Sequence, residues 1–337
     1  MTILYTSAFG LARQIKAREI SSVEVVNFFL DRITQFNPAL NAVVVLDSER
    51  ALQRAVEADA AAARGEDWGP LHGVPITIKD ALATKDLVTV GGIPDRAGQV
   101  PEADAVSVAR YRAAGAIILG KTNVPFMSAD LQSYNDVYGV TNNPWKTERT
   151  CGGSSGGAAA ALAAGLSALE VGSDIGGSIR IPSHFNGVFG HKPSYGIVSQ
   201  QGHIPPGQSI LSESDLSVVG PLGICADDIA QALDVLIGAS PIEAKAWRVE
   251  IPPARFDDPS ELRVAVWADD PFCPVDEDIS TAILAAAKSL ESLGAKVDYH
   301  ARPSFDVEAN HRTYLHLLMS VMGAGMPQSV FDMAAGI

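Results

Sequence analysis

The feature that most constrains this chain is a run of small residues between positions 150 and 200. It holds two clusters of glycine and serine, Cys151-Gly152-Gly153-Ser154-Ser155-Gly156-Gly157 and Gly172-Ser173-Asp174-Ile175-Gly176-Gly177-Ser178-Ile179-Arg180. Between them, residues 158–164 read as a helix hidden in a core, where alanines let neighbouring backbone pack closely. Glycines flanking a serine permit backbone angles closed to other residues and let a ligand approach the main chain. Successive N–H groups in such a loop can converge on one point, as in an oxyanion hole. One such cluster is most simply a glycine-rich turn. Two in close succession, the first opening a buried helix, point to a site.

The surrounding sequence alternates helix and strand. Ser21 and Glu24 form a capping box, and Val26, Phe29, Leu30 and Ile33 recur at helical spacing until Asn37-Pro38, which is expected to end the helix. Residues 42–46 can form a strand, and Asp47 can cap a second helix reaching about Ala63. Residues 73–80 read as a strand ending in polar residues, followed by a Gly- and Pro-rich loop to Pro101, a helix over 104–114 and a buried strand over 116–119. Further strands are expected at 168–171, 262–267 and 295–299, and further helices at 227–237, 279–290 and 313–322. This order predicts an α/β fold, one α/β/α sandwich around a mixed central sheet, with the site among loops at the sheet edge. No internal repeat is visible. The Pro-rich stretch 240–259 is the one subdomain joint, so residues 1–337 are expected to form a single domain. Residues 331–337 have no terminal character, which suggests a chain incomplete at its C-terminus.

Composition narrows the function. Hydrophobic residues make up 47% and charged residues 19%, ample for a large core. The net charge of −14, half of it in residues 241–337, makes nucleic acid or an anionic membrane an unfavourable partner. Cys151, Cys225 and Cys273 are too few and too scattered for a disulfide framework or a zinc cage, and fit a reducing compartment. The longest low-polarity run, 158–169, falls well short of the ~20 residues of a spanning helix. The first residues lack the pattern of an export signal, so a soluble, cytoplasmic protein is expected.

A serine nucleophile needs a base. Of seven histidines, His72 and His203 lie in loops and His184 and His191 lie near the second cluster, none in a telling motif. Lys79 is the alternative. It ends the apolar strand carrying Val74, Ile76 and Ile78, where burial would lower its pKa and let the neutral amine accept a proton. A lysine at a strand end more commonly escapes to solvent, and local sequence alone favours that reading. Residues 153–157 satisfy the G-x-S-x-G of a nucleophile elbow, but that elbow follows a buried apolar strand, and residues 143–150 are polar and turn-like.

Residues 151–192 closely resemble the amidase signature family, through GGSSGG, SDIGGSIR and the downstream GVFGHKPSYG. Residues 71–80, Gly120-Lys121-Thr122-Asn123 and Asn143-Pro144-Trp145 fit as well, and the resemblance extends to about Leu236. It implies a serine–cis-serine–lysine triad: Ser178 as nucleophile, Ser154 as the cis-serine and Lys79 as base. It places oxyanion donors on the N–H groups of Ile175, Gly176, Gly177 and Ser178, and bracing side chains on Ser155, Asp174 and Arg180. Met127 approximates a position whose backbone faces the substrate. The implied activity is hydrolysis of amides, aryl acylamides, esters or carbamates (a urethanase) through an acyl-enzyme, without metal or organic cofactor. The same motifs would also fit the glutamine-hydrolysing A subunit of a tRNA-dependent amidotransferase, which works with partner subunits. An inactive amidase fold serving as a scaffold is a third reading, and the intact Lys79, Ser154 and Ser178 argue against it. The partner is otherwise a small-molecule substrate, and the oligomeric state is open, a homodimer being one option. Two positions depart from the family pattern. Cys151 stands where proline is common and reads as a small core residue, and Glu170 occupies a strand position that is usually apolar or small. Family members also continue past residue 337 with a segment that completes the sheet and the pocket.

Overall fold

A computed structural model describes residues 3–204 and 213–323; the stretch 331–337 lies outside them. The chain divides into two compact units, Met1–Val249 and Glu250–Ile337, with the boundary inside the 240–259 joint. The sequence predicts one domain with a joint at 240–259, and beyond that joint the second unit has its own small apolar cluster of Val266, Ala268 and Ala287.

The first unit contains helices α1 (Ala8–Lys16), α2 (Ser22–Leu40), α3 (Ser48–Ala63), α4 (Val106–Ala113), α5 (Gly156–Ala163), α6 (Arg180–Asn186) and α7 (Ala226–Leu236). Its strands are β1 (Val43–Leu46), β2 (Pro75–Lys79), β3 (Ile117–Thr122), β4 (Tyr134–Asn135), β5 (Gly139–Val140), β6 (Glu170–Asp174), β7 (Phe189–Gly190) and β8 (Val218–Gly223). Caps set several boundaries. Ser21 Oγ accepts from the Glu24 N–H, and the Glu24 carboxylate accepts from the Ser21 N–H at 2.8 Å, which opens α2. Asp47 accepts from the Arg50 N–H and opens α3. The expected stop at Asn37-Pro38 comes too early. The helix continues to Leu40 and turns at Asn41, whose left-handed φ of 51° suits asparagine. The Asn37 side chain holds that exit by accepting from the N–H groups of Ala42 and Val43, both at 2.9 Å.

Strands β1, β3 and β2 form one sheet in that order, with β3 antiparallel to β1 and parallel to β2. Strands β6, β8 and β7 form a second, antiparallel throughout. The Thr77 N–H reaches the Leu169 carbonyl at 3.4 Å and Ser167 Oγ at 3.0 Å, which joins β2 to the segment leading into β6. The result is a mixed sheet within an α/β/α fold. Every residue of β2, β3 and β6 is buried. Strand β3 runs beyond the expected 116–119 and carries Lys121 and Thr122 into the interior. Helix α5 packs against strands of both sheets, buried from Gly156 to Leu162, and its lack of large side chains makes that approach possible.

In the second unit, the parallel strands β9 (Arg263–Ala265) and β10 (Lys296–Asp298) are linked through helix α8 (Glu277–Ser292), and helix α9 (Val307–Gly323) follows. Among the described residues, no helix is long and apolar enough to cross a membrane.

Candidate active site

Lys79 is the last residue of β2, and because that strand is buried throughout, its side chain stays inside. Its Nζ lies 2.6 Å from Ser154 Oγ, 3.0 Å from Ser155 Oγ and 3.0 Å from Ser173 Oγ. Desolvation lowers the lysine from an ordinary 10.5 to about 7, against the opposing pull of the Asp174 and Glu170 carboxylates. Burial thus favours the neutral amine at this position.

Ser154 and Ser155 immediately precede α5, and the Gly153–Ser154 peptide bond is cis. Two glycines here answer to close backbone approach. A Cβ on Gly153 would lie 2.6 Å from the Asp130 carbonyl oxygen and 2.7 Å from the Gln132 nitrogen. A Cβ on Gly157 would lie 2.3 Å from the Asn123 nitrogen, where the start of α5 docks beyond the end of β3. These contacts explain why side chains are missing from the first cluster.

The second cluster is stitched to the first by the Ser155 N–H, which donates to the Ser178 carbonyl at 3.1 Å. Ser178 itself is 6% exposed. Asp174 organises the loop around it. Its Oδ1 accepts from the Gly177 N–H at 2.8 Å, its Oδ2 from the Ile179 N–H at 3.0 Å, and both oxygens receive the Arg180 guanidinium at 2.9 and 3.1 Å. Desolvation pushes the Asp174 carboxyl up, but these hydrogen bonds and the Arg180 charge outweigh it and hold the group below its usual range. Of the four backbone groups that the resemblance implies as oxyanion donors, the Gly177 N–H donates to Asp174 Oδ1 within the loop.

Met127 lies in the short turn Phe126–Ser128, exposed, with a left-handed φ of 53°; its N–H donates to the Gly91 carbonyl at 3.0 Å. The loop continues from it to residues 130–132, which lie against Gly153.

The structure adds a residue that the sequence leaves among the loops. His203 Nε2 lies 2.7 Å from Ser173 Oγ, and Ser173 touches Lys79. Residue 203 pairs with Leu82 in an isolated bridge, flanked by bonds from the Ile204 N–H to the Ala81 carbonyl at 2.7 Å and from the Ala83 N–H to the Gly202 carbonyl at 2.9 Å. No local motif signals this pairing of two connecting segments. His72 has a structural role, with Nε2 3.0 Å from the Ala58 carbonyl and Nδ1 accepting from the Trp68 N–H. Glu170 is buried, accepts from Thr77 Oγ1 at 2.6 Å, and is raised by desolvation to about 7. Burial likewise pushes the Cys151 thiol up to about 12, so Cys151 is a core residue rather than a nucleophile. Among the described residues, no group of three His, Cys, Asp or Glu is placed to hold a metal ion.

The family model described as Amidase matches residues 24–328. Fatty-acid amide hydrolase 2-A of Danio rerio is 44% identical over 70% of this chain and 45% of its own length. The A subunit of the glutamyl-tRNA(Gln) amidotransferase from Carboxydothermus hydrogenoformans is 38% identical over 88% of this chain and 60% of its own length. Among solved structures, a bacterial aryl acylamidase of the amidase signature enzymes superposes with a TM-score of 0.83 at 26% identity, covering 98% of this chain and 68% of that one. The chain thus spans about half the length of the curated relatives it matches. With the family model matched over most of its residues, and the motif serines gathered around a buried lysine, the chain belongs to the amidase (amidase signature) family.

Proposed function

We propose that this protein hydrolyses amide bonds of small molecules through a serine acyl-enzyme, with Ser178 as nucleophile, Ser154 as relay and Lys79 as base. The observation that carries the reading is the buried Lys79 amine, held near neutrality and 2.6 Å from Ser154 Oγ. The neutral amine takes a proton from Ser154, which takes one from Ser178. Ser178 Oγ attacks the carbonyl carbon, and backbone N–H groups among Ile175, Gly176, Gly177 and Ser178 hold the oxyanion. One such donor typically contributes about 2.7–4 kcal/mol to the barrier. The lysine proton returns through Ser154 to the leaving nitrogen, the C–N bond breaks, and water then hydrolyses the ester to free Ser178. Esters and carbamates are within reach of the same steps, since each presents a carbonyl and a leaving group. Met127 lies on the substrate side, and the protein works in the cytoplasm on a small molecule, as a monomer or homodimer. Supporting the amide class are the amide hydrolase and aryl acylamidase among its relatives.

The 38% identity to an amidotransferase component favours a second reading, glutamine hydrolysis within a larger assembly. Turnover of p-nitroacetanilide, a p-nitrophenyl carbamate and glutamine by the purified chain separates the two. Aryl amide turnover that is lost in Lys79→Ala and Ser178→Ala supports the first. Turnover of glutamine alone supports the second.

A further inference from the structure

The Lys79 amine is ringed by more hydroxyls than a base can serve, and following their hydrogens leads outside the proposed triad. A neutral amine has two N–H donors and one lone pair. Three hydroxyl oxygens lie within reach of it, Ser154 at 2.6 Å and Ser155 and Ser173 at 3.0 Å. The Ser173 carbonyl, at 3.5 Å, is too far to compete. Ser155 Oγ donates to that carbonyl at 3.3 Å, so its hydrogen is committed and its oxygen takes one Lys79 N–H. Ser173 Oγ lies 2.7 Å from His203 Nε2. An unprotonated Nε2 takes the Ser173 hydrogen, and Ser173 Oγ then takes the second Lys79 N–H. The lone pair is left facing Ser154, the closest of the three. Without that acceptor, the Ser173 hydroxyl turns its hydrogen toward the lysine lone pair and competes with Ser154.

We infer that His203 is a positioning residue of this site. With its ring proton on Nδ1 and Nε2 accepting from Ser173, it orients the Ser173 hydroxyl and reserves the lysine lone pair for Ser154. The inference rests on the proposed role of Lys79 as base. The backbone is built to hold the ring there. Residues 202–204 pair with 81–83, directly after Lys79, and the Gln201 carbonyl accepts from the Val106 N–H at 3.1 Å.

The test uses the full chain and p-nitroacetanilide. His203→Leu, which removes the acceptor, should lower kcat about tenfold, or ~1.4 kcal/mol at the barrier, with KM unchanged. His203→Gln places an amide oxygen near the position of Nε2 and should keep kcat within about threefold of wild type. In a Ser173→Ala background the competing hydroxyl is gone, and His203→Leu should change kcat less than about twofold. Nitrogen-15 spectra of the His203 imidazole at pH 8 should show the proton on Nδ1, a readout that needs neither turnover nor a folded variant. A proton on Nε2, or a His203→Leu loss that persists undiminished with Ser173→Ala, overturns the inference. Lys79→Ala is measured alongside. If it keeps wild-type kcat, the base assignment fails; if it is inactive while His203→Leu is not impaired, only the role of His203 fails.

Discussion

Replacing Lys79 with methionine should abolish amide hydrolysis and, at the same time, stabilise the fold in a pH-dependent way. Methionine fills a similar volume and carries no charge. In the native chain, burial brings the lysine from 10.5 to about 7. Each pH unit between those values is ~1.4 kcal/mol of preference for the neutral amine in the folded state. At pH 6 the group is protonated in both folded and unfolded chains, so the whole penalty applies, on the order of 4–5 kcal/mol. At pH 9 the folded chain has released its proton while the unfolded chain still holds one, and the penalty falls to about 2 kcal/mol. The sign follows from proton counts. Between about pH 7 and 10.5 the unfolded state binds more protons, so native stability rises with pH, and the methionine variant lacks that rise. The variant's advantage should therefore shrink by about 2–3 kcal/mol from pH 6 to pH 9. Groups that do not interact with Lys79 cancel between the two chains. Lost serine hydrogen bonds shift the baseline at both pH values alike. The assay is hydrogen exchange of the β2 and α5 amides under increasing urea, which isolates the first unit from the second. A variant advantage that is flat across this range would mean that the lysine reaches water, and the argument for a neutral base would collapse.

Three further outcomes follow from the site. Gly153→Ala forces a methyl group against three backbone atoms less than 3 Å away, and should cost about 1–3 kcal/mol in thermal unfolding while lowering kcat. Asp174→Asn turns an amide toward the Gly177 and Ile179 N–H groups and leaves Arg180 without its carboxylate, so unfolding free energy should drop by about 2–3 kcal/mol and acylation should slow; an unchanged acylation rate would show that this loop does not order the site. Iodoacetamide at pH 7.5 should alkylate the exposed Cys273 and spare Cys151 in the folded chain, as read by peptide mass mapping.

What the sequence discloses and what it conceals divide along a physical line. Local chemistry is legible. The Ser21–Glu24 box, the Asp47 cap and the small-residue helix at α5 follow from side-chain reach and size. The continuation past Pro38 depends on the Asn37 side chain folding back onto residues 42 and 43, which no propensity encodes. The burial of Lys79 is a property of the sheet, because β2 is flanked by β3 on one side and by the segment leading into β6 on the other. A strand read alone sends that lysine more readily to solvent. The bond from the Gly177 N–H to the Asp174 carboxylate depends on how the glycine-rich loop turns, which its residues alone do not show. His203 is the clearest case. Its partner lies 30 positions earlier, and the contact exists only because two segments without motifs pair beside the end of β2.

The most direct test of the central claim is covalent labelling of the full chain with a fluorophosphonate, followed by peptide mass mapping and measurement of the labelling rate at pH 8. The account predicts one adduct, on Ser178, absent in Ser178→Ala and slowed at least about a hundredfold in Lys79→Ala, since a positioned base typically contributes that much. An adduct on another residue, or a rate that Lys79→Ala leaves unchanged, would contradict it.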